Sequence, residues 1–288
     1  MRWRLVAALV LLSLAGCDGA EPAGNATTSA PAASPSAVAL PAAGMCHKGQ
    51  SLDAYDYRPL TLNTTDCAAE HQAEIIRVGR LTTPPENKTR EVFTDCDSAA
   101  RDYVGGDWHE GRLGLAVVVP STEEWNAGAR EYRCALFEFA ADDFTSKART
   151  GSLRDGLRGA RPLALTCVDV LGIPDGQGWY QDIQRLVPID CAQPHNGEYV
   201  GLYVGADVPY PGIDKLRREV TQACGTKAAQ FLGESPSNFA NRTDLRVVPT
   251  GGNPQRWGLG DRTARCYVLT RPDNRVTKSL KANAGTGR

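Results

Sequence analysis

The sequence predicts an α+β protein made of two tandem homologous small domains, each one helix packed on a mostly antiparallel sheet and stapled by two disulfides. Two observations predict it. With Cys17 set aside, the cysteines form two quartets, Cys46, Cys67, Cys96, Cys134 and Cys167, Cys191, Cys224, Cys266, with gaps of 21, 29 and 38 residues in the first and 24, 33 and 42 in the second. Around them the same residues recur. Asp66-Cys67-x3-His71-x2-Glu74 matches Asp190-Cys191-x3-His195-x2-Glu198, and Glu91-Val92-x3-Cys96, running on to Tyr103-Val104-Gly105, matches Glu219-Val220-x3-Cys224, running on to Phe231-Leu232-Gly233. Val118-Val119-Pro120 matches Val247-Val248-Pro249, and Trp125-x2-Gly128-x4-Arg133-Cys134 matches Trp257-x2-Gly260-x4-Arg265-Cys266. The length of 288 residues, with 42% hydrophobic and 23% charged side chains, suits two folded domains with modest cores. A net charge of -1 provides no basic face for phosphate, so nucleic acid is excluded as a partner.

Along the chain, Arg2 and Arg4 precede an apolar run from Leu5 to Ala15, too short to span a bilayer. Residues 1–16 read as a signal peptide. Leu14-Ala15-Gly16-Cys17 resembles the lipobox of bacterial lipoproteins, which implies acylation of Cys17 and cleavage before it. The cleaved chain keeps 30 basic against 33 acidic residues, so the membrane is reached through N-terminal lipid rather than charge. Residues 17–44 are an Ala/Pro/Ser/Thr tether with too few large apolar side chains to offset its ordering entropy.

The first domain is placed at 45–145 and the second at 161–272, with 146–160 as a polar connector and 273–288 as a disordered basic tail. β-branched and aromatic runs predict strands at Glu74 to Val78, Leu113 to Val119, Cys134 to Phe139, Glu198 to Val204, Leu245 to Val248 and Cys266 to Leu269. Apolar residues at 213, 216, 220, 224, 228 and 231 fall on one helical face, predicting a helix over Ile213 to Leu232 with Asp214 as N-cap and Gly233 at its stop. The matching helix of the first domain follows Pro84 and Pro85 and carries Cys96.

Four cysteines allow three connectivities, among which the sequence does not decide. The favoured set is Cys46 with Cys67, Cys96 with Cys134, Cys167 with Cys191, and Cys224 with Cys266, which pins each helix to the last strand and each first strand to the next. No close Cys-x2-Cys pair exists to hold zinc, and no nucleophile elbow, phosphate loop or nucleotide fingerprint is present, so neither metal nor cofactor is expected. The pairs His71/Glu74 and His195/Glu198 are the repeated polar constellation. Positions i and i+3 of a strand face opposite ways, so each pair converges only if a turn intervenes. A histidine bonded to backbone beside a disulfide is the favoured reading, and His47 has no counterpart in the second domain, where Val168 stands. Trp125 and Trp257 are expected to cap the cores, with groove lining as the alternative. Trp108 and Trp179, in Gly-rich loops, are expected to be exposed contacts.

The repeated Asp-Cys-x3-His-x2-Glu, followed by a Cys-bearing helix and then by Pro, Trp, Gly and Arg-Cys, resembles the actinobacterial "septum formation" domain of secreted or membrane-anchored envelope proteins. The resemblance covers about residues 45 to 270. It implies a place on the outer face of the cell membrane and a loose association with cell division, and it supplies no catalytic residues. The expected function is a non-enzymatic binding or scaffolding lipoprotein that engages an envelope protein or a wall polymer. The alternative is an envelope hydrolase or metal-dependent enzyme using the two His/Glu pairs.

Overall fold

A computed structural model describes residues 42–48, 63–85, 89–142 and 145–281. The leader, Cys17 and the tether up to residue 41 lie outside the described residues, as do 282–288. Among the described residues no helix is long and apolar enough to cross a membrane.

The first half contains β1 (Cys46–His47), β2 (Thr64–Thr65), β3 (Ala73–Arg80), α1 (Thr89–Val104), β4 (Leu113–Val118), α2 (Thr122–Asn126) and β5 (Glu131–Glu138). The second contains β6 (Cys167–Pro174), β7 (Tyr180–Ile189), β8 (Gly197–Val204), α3 (Ile213–Leu232), α4 (Pro236–Ala240), β9 (Arg246–Gly251), α5 (Pro254–Leu259) and β10 (Thr263–Leu269). The strand orders are β2-β1-β3-β5-β4 and β7-β6-β8-β10-β9, all pairs antiparallel, so each half repeats one topology. Register agrees as well. Cys46 opposes Glu74 and Cys134 opposes Arg77, while Cys167 opposes Glu198 and Cys266 opposes Gly201. In both, one residue of the central strand is skipped beside the last cysteine, between Ile75 and Arg77 and between Tyr199 and Gly201.

The helices form for local reasons. α3 buries Leu216, Val220, Cys224 and Ala228, spaced by four, and ends at Gly233 in the left-handed conformation (φ 70°), which glycine adopts without strain. Its N-cap is Gly212 with no side-chain cap, not Asp214. Asp214 lies inside the first turn, where its charge meets the helix dipole. α2 opens on a full capping box between Ser121 and Glu124. The strand β4 is buried on both faces. Leu113, Leu115 and Val117 join the core under α1, with Val92, Cys96, Ala100 and Val104, while Ala116 and Val118 face a second cluster with Ile75 and Phe137. At Gly114 an added Cβ would lie 2.3 Å from the Phe137 ring, which explains the glycine.

The disulfides join Cys46 to Cys67, Cys96 to Cys134, Cys167 to Cys191 and Cys224 to Cys266. Three expectations are corrected. The segment 146–160 is not a loose polar connector, because Leu153 and Leu157 are buried in the first core beside Val104 and Trp108, and Arg149 pairs with His71 as an isolated β-bridge. Residues 273–281 are ordered rather than a disordered tail, with Val276 bridging His195 in the same way. Trp108 and Trp179 are 0% and 3% exposed rather than surface contacts. The indole of Trp108 donates to Asp97 and stacks on His109, and that of Trp179 lies between the guanidinium groups of Arg246 and Arg271. Replacing Leu153 by alanine is expected to destabilise the protein by about 3 kcal/mol, since it empties a fully buried site. A denaturation midpoint unchanged in L153A would return the segment to a linker.

The halves are welded rather than strung. The described residues from 42 to 281 belong to one compact unit. Arg265 of β10 donates to Asp142 (2.7 Å) and to the carbonyls of His109 (2.8 Å) and Leu113 (2.9 Å) of the first half, with both charged side chains nearly fully buried. Asp142 also accepts from Tyr267 and Thr250. Tyr199 packs against clusters of both halves.

The imidazole of His109 lies across the same seam, 2.7 Å from an Asp107 oxygen and 3.4 Å from an Asp261 oxygen. Burial pushes the Asp107 carboxyl up, but hydrogen bonds and charge from His109 and Arg101 outweigh it and hold the group well below its usual range. Asp261 is held low in the same way against burial, by Arg256, His109 and Thr263. Carboxyls held low stabilise the fold above the unfolded carboxyl range near pH 4 and lose that contribution only as pH falls through their folded values. The share of stability held by these two carboxyls is therefore expected to be constant from about pH 8 to 5 and to be lost only below about pH 4, while the buried His47, whose imidazole burial pushes down, adds a separate loss as pH falls below about 6.5. An unfolding midpoint in His47→Gln that still falls between pH 7 and 5 would contradict this.

Candidate functional site

The repeated Asp-Cys-x3-His-x2-Glu element builds one arrangement twice. In each copy a turn after the cysteine brings the chain back, the histidine makes an isolated β-bridge, and a bend at Gln72 or Asn196 precedes the strand carrying the glutamate. That bend lets residues three apart converge. His71 Nε2 lies 3.5 Å from Glu74 Oε1, and His195 Nε2 lies 3.3 Å from Glu198 Oε1. Both histidines are 0% exposed.

The hydrogen-bond inventory fixes the roles. His71 Nδ1 lies 2.8 Å from the Ala69 carbonyl and His195 Nδ1 lies 2.8 Å from the Gln193 carbonyl. A carbonyl only accepts, so each Nδ1 carries a proton. His195 Nε2 lies within hydrogen-bond reach of Glu198 Oε1, whereas His71 Nε2, 3.5 Å from Glu74, makes no hydrogen bond.

The glutamates fasten the segment that follows each last strand. Glu74 accepts from the backbone N–H of Leu153 (2.6 Å), from Ser152 (3.0 Å) and from Tyr103 (2.6 Å). Glu198 accepts from the backbone N–H of Leu280 (2.6 Å) and from Ser279 (2.6 Å). Ser152-Leu153 and Ser279-Leu280 are thus matching straps, clipped at one end to the histidine by a β-bridge and at the other to the glutamate. The one difference is at Tyr103, whose aligned residue is Phe231. Tyr103 gives Glu74 a third donor, whereas Glu198 has two donors from its strap and its third contact from His195 Nε2 at 3.3 Å.

Tyr103→Phe is therefore expected to lower stability by about 2 kcal/mol, the value of a hydrogen bond to a charged acceptor. Phe231→Tyr is expected to raise it by about 1 kcal/mol by adding the missing donor. Chemical denaturation of the two variants checks both signs, and equal losses in both would mean that Phe231 does not overlie Glu198 as Tyr103 overlies Glu74.

The other predicted residues fall outside these sites. His47 is 2% exposed with no described partner for its ring nitrogens. Strand alternation turns it to the face opposite Cys46, and burial pushes its imidazole down. Trp257 is buried in α5 and donates to the Val208 carbonyl, which makes it a core cap. Trp125, in α2, is partly buried against the first core and covered by the Arg130 guanidinium. Cys17 lies outside the described residues.

A donor atom from each of Cys46, His71 and Glu74 lies within 4.8 Å of the others, and so do those of Cys167, His195 and Glu198. The donor chemistry does not fit a metal. Both sulfurs are in disulfides and lack the thiolate charge that a metal requires, and the carboxylates are already committed to backbone and hydroxyl donors. Nor does the geometry suit a general base acting on an external substrate, because neither Nε2 reaches solvent.

The family described as septum formation matches residues 83–266, in one span from ahead of α1 to Cys266 in β10. No curated protein and no solved structure matches the chain.

Proposed function

The chain belongs to the septum-formation family, and we propose that it serves as a non-enzymatic binding or scaffolding protein of the cell envelope, acting at the septum and held to the membrane by lipid on Cys17. The observation that carries this reading is that both His/Glu pairs are buried and spent on clipping straps to sheets. The polar machinery that could have been catalytic works as fastening. A welded, disulfide-stapled body at the end of a tether suits a fixed surface offered to an envelope protein or a wall polymer. The shared topology, register and skipped residue of the two halves support an origin by tandem duplication.

A fluorescent fusion tests the place of action and Cys17→Ala tests the anchor. The wild type is expected in the membrane fraction and concentrated at division sites, and the variant in the soluble fraction. A wild-type protein spread evenly around the cell, or a Cys17→Ala protein still in the membrane fraction, would overturn the corresponding part. Pull-down from native envelopes then identifies the partner.

A further inference from the structure

Cys96, Cys134, Cys224 and Cys266 are all 0% exposed, so two of the four disulfides are sealed in the cores. The Cys167–Cys191 bond is placed differently. Cys167 is 1% exposed, but Cys191 is partly exposed. Two cavities, of about 360 and 520 Å3, border Cys191, and the smaller one also touches Cys167 and Glu198. Behind the bond, the Cys167 sulfur lies within 4.8 Å of the His195 ring nitrogen and a Glu198 oxygen. One sulfur is therefore reachable and the other is buried beside the His195/Glu198 pair.

We propose that Cys167–Cys191 is an exchangeable disulfide that takes a thiol of a partner protein at Cys191. The partner's thiolate attacks Cys191 Sγ along the sulfur–sulfur axis. A partner–Cys191 bond forms as the Cys191–Cys167 bond breaks, and the electron pair goes to Cys167 Sγ. A thiolate buried next to the Glu198 carboxylate would be strongly disfavoured. Cys167 takes up a proton through the adjacent His195 ring and leaves as a neutral thiol. With a dithiol partner, its second thiolate then attacks the partner's own sulfur in the mixed disulfide and expels Cys191. The partner is oxidised to a disulfide and Cys167/Cys191 is reduced, two electrons passing in all.

Attack at Cys167 is blocked by burial. The smaller cavity is lined by Arg161 and Lys281 and by the carboxylates of Glu110 and Glu198, with Arg161 paired to Glu110, so Lys281 is the cation nearest to hand for an incoming thiolate. Cys67 of the first half is likewise partly exposed and borders a cavity of about 520 Å3, but there Nε2 of His71 makes no hydrogen bond and the Tyr103 hydroxyl occupies Glu74, so the proton route, and with it the proposal, is confined to Cys167–Cys191. It goes beyond the scaffolding role and can fail without it.

The test is differential labelling of the full, undenatured chain. Protein is held in millimolar dithiothreitol at neutral pH, alkylated at intervals and mapped by peptide mass spectrometry. Cys167 and Cys191 are expected to be labelled at least about tenfold faster than Cys96, Cys134, Cys224 and Cys266, and limiting glutathione is expected to leave its mixed disulfide on Cys191. One common labelling rate for all these cysteines, or a glutathione adduct on Cys167 instead, would overturn the proposal. In His195→Gln, compared while Cys224 and Cys266 stay unlabelled, exchange is expected to slow by about tenfold, and an unchanged rate would remove the proton transfer from the account.

Discussion

Arg265→Ala is expected to destabilise the whole protein by roughly 3–5 kcal/mol, because it strips a buried carboxylate of its counter-charge. Asp142 is 1% exposed at its side chain and would keep only the hydroxyls of Tyr267 and Thr250, while the carbonyls of His109 and Leu113 would lose a charged donor. The aligned Arg133 gives a contrast within the same molecule. It bonds Glu131 two residues away on its own strand, and that partner is well exposed. Burial pushes the Arg133 guanidinium down despite the Glu131 and Glu124 charges. The measurement is equilibrium unfolding followed by signals from both halves. Arg265→Ala should lower both transitions together, and a loss confined to the second half would mean that the seam is not shared.

The second large effect concerns the sealed disulfide between Cys224 of α3 and Cys266 of β10. Replacing both by alanine opens a loop with a separation of 42 residues. In the chain-entropy model a loop of that length contributes about 4 kcal/mol. Both residues are 0% exposed in the core with Leu216, Val220 and Trp257, so the lost sulfurs also leave a gap. The double variant is expected to be unfolded or nearly so at 37 °C, measured by circular dichroism. A native spectrum with a midpoint lowered by only a few degrees would show that the helix is held by its apolar face alone.

The parts of this fold legible in the sequence are those written in local pattern. Spacing by four on Leu216, Val220 and Cys224 marks α3, and runs of β-branched and aromatic residues mark β4, β5 and β10. The repeated Asp-Cys-x3-His-x2-Glu located the dyads. What the element does was not legible, because the acceptors of Glu74 are satisfied by residues 78 and 79 positions away, Ser152 and Leu153. The Ser-Leu dipeptide recurs at Ser279-Leu280 and was the available signal, hidden by unequal spacing from the preceding cysteine. Leu153 and Leu157 stand among Arg and Gly, so composition reads as a linker while backbone pairing with His71 pulls the segment into the core. The β6–β7 hairpin was missed because Asp175 closes a long turn, accepting from the backbone N–H groups of Gln177 and Trp179 at 2.8 Å, where glycines suggest an open loop. The partnership of Arg265 with Asp142 spans 123 positions, and no periodicity carries it. The family match agrees with the weld, since it crosses both halves as one span.

The central claim is that two similar halves, each clipped by a buried His/Glu pair, form one cooperative body that presents a fixed surface. Scanning calorimetry of the full chain tests it most directly. The account predicts a single transition whose calorimetric and van't Hoff enthalpies agree, moved as one by Arg265→Ala. Two separable transitions, of which Arg265→Ala shifts only one, would contradict it.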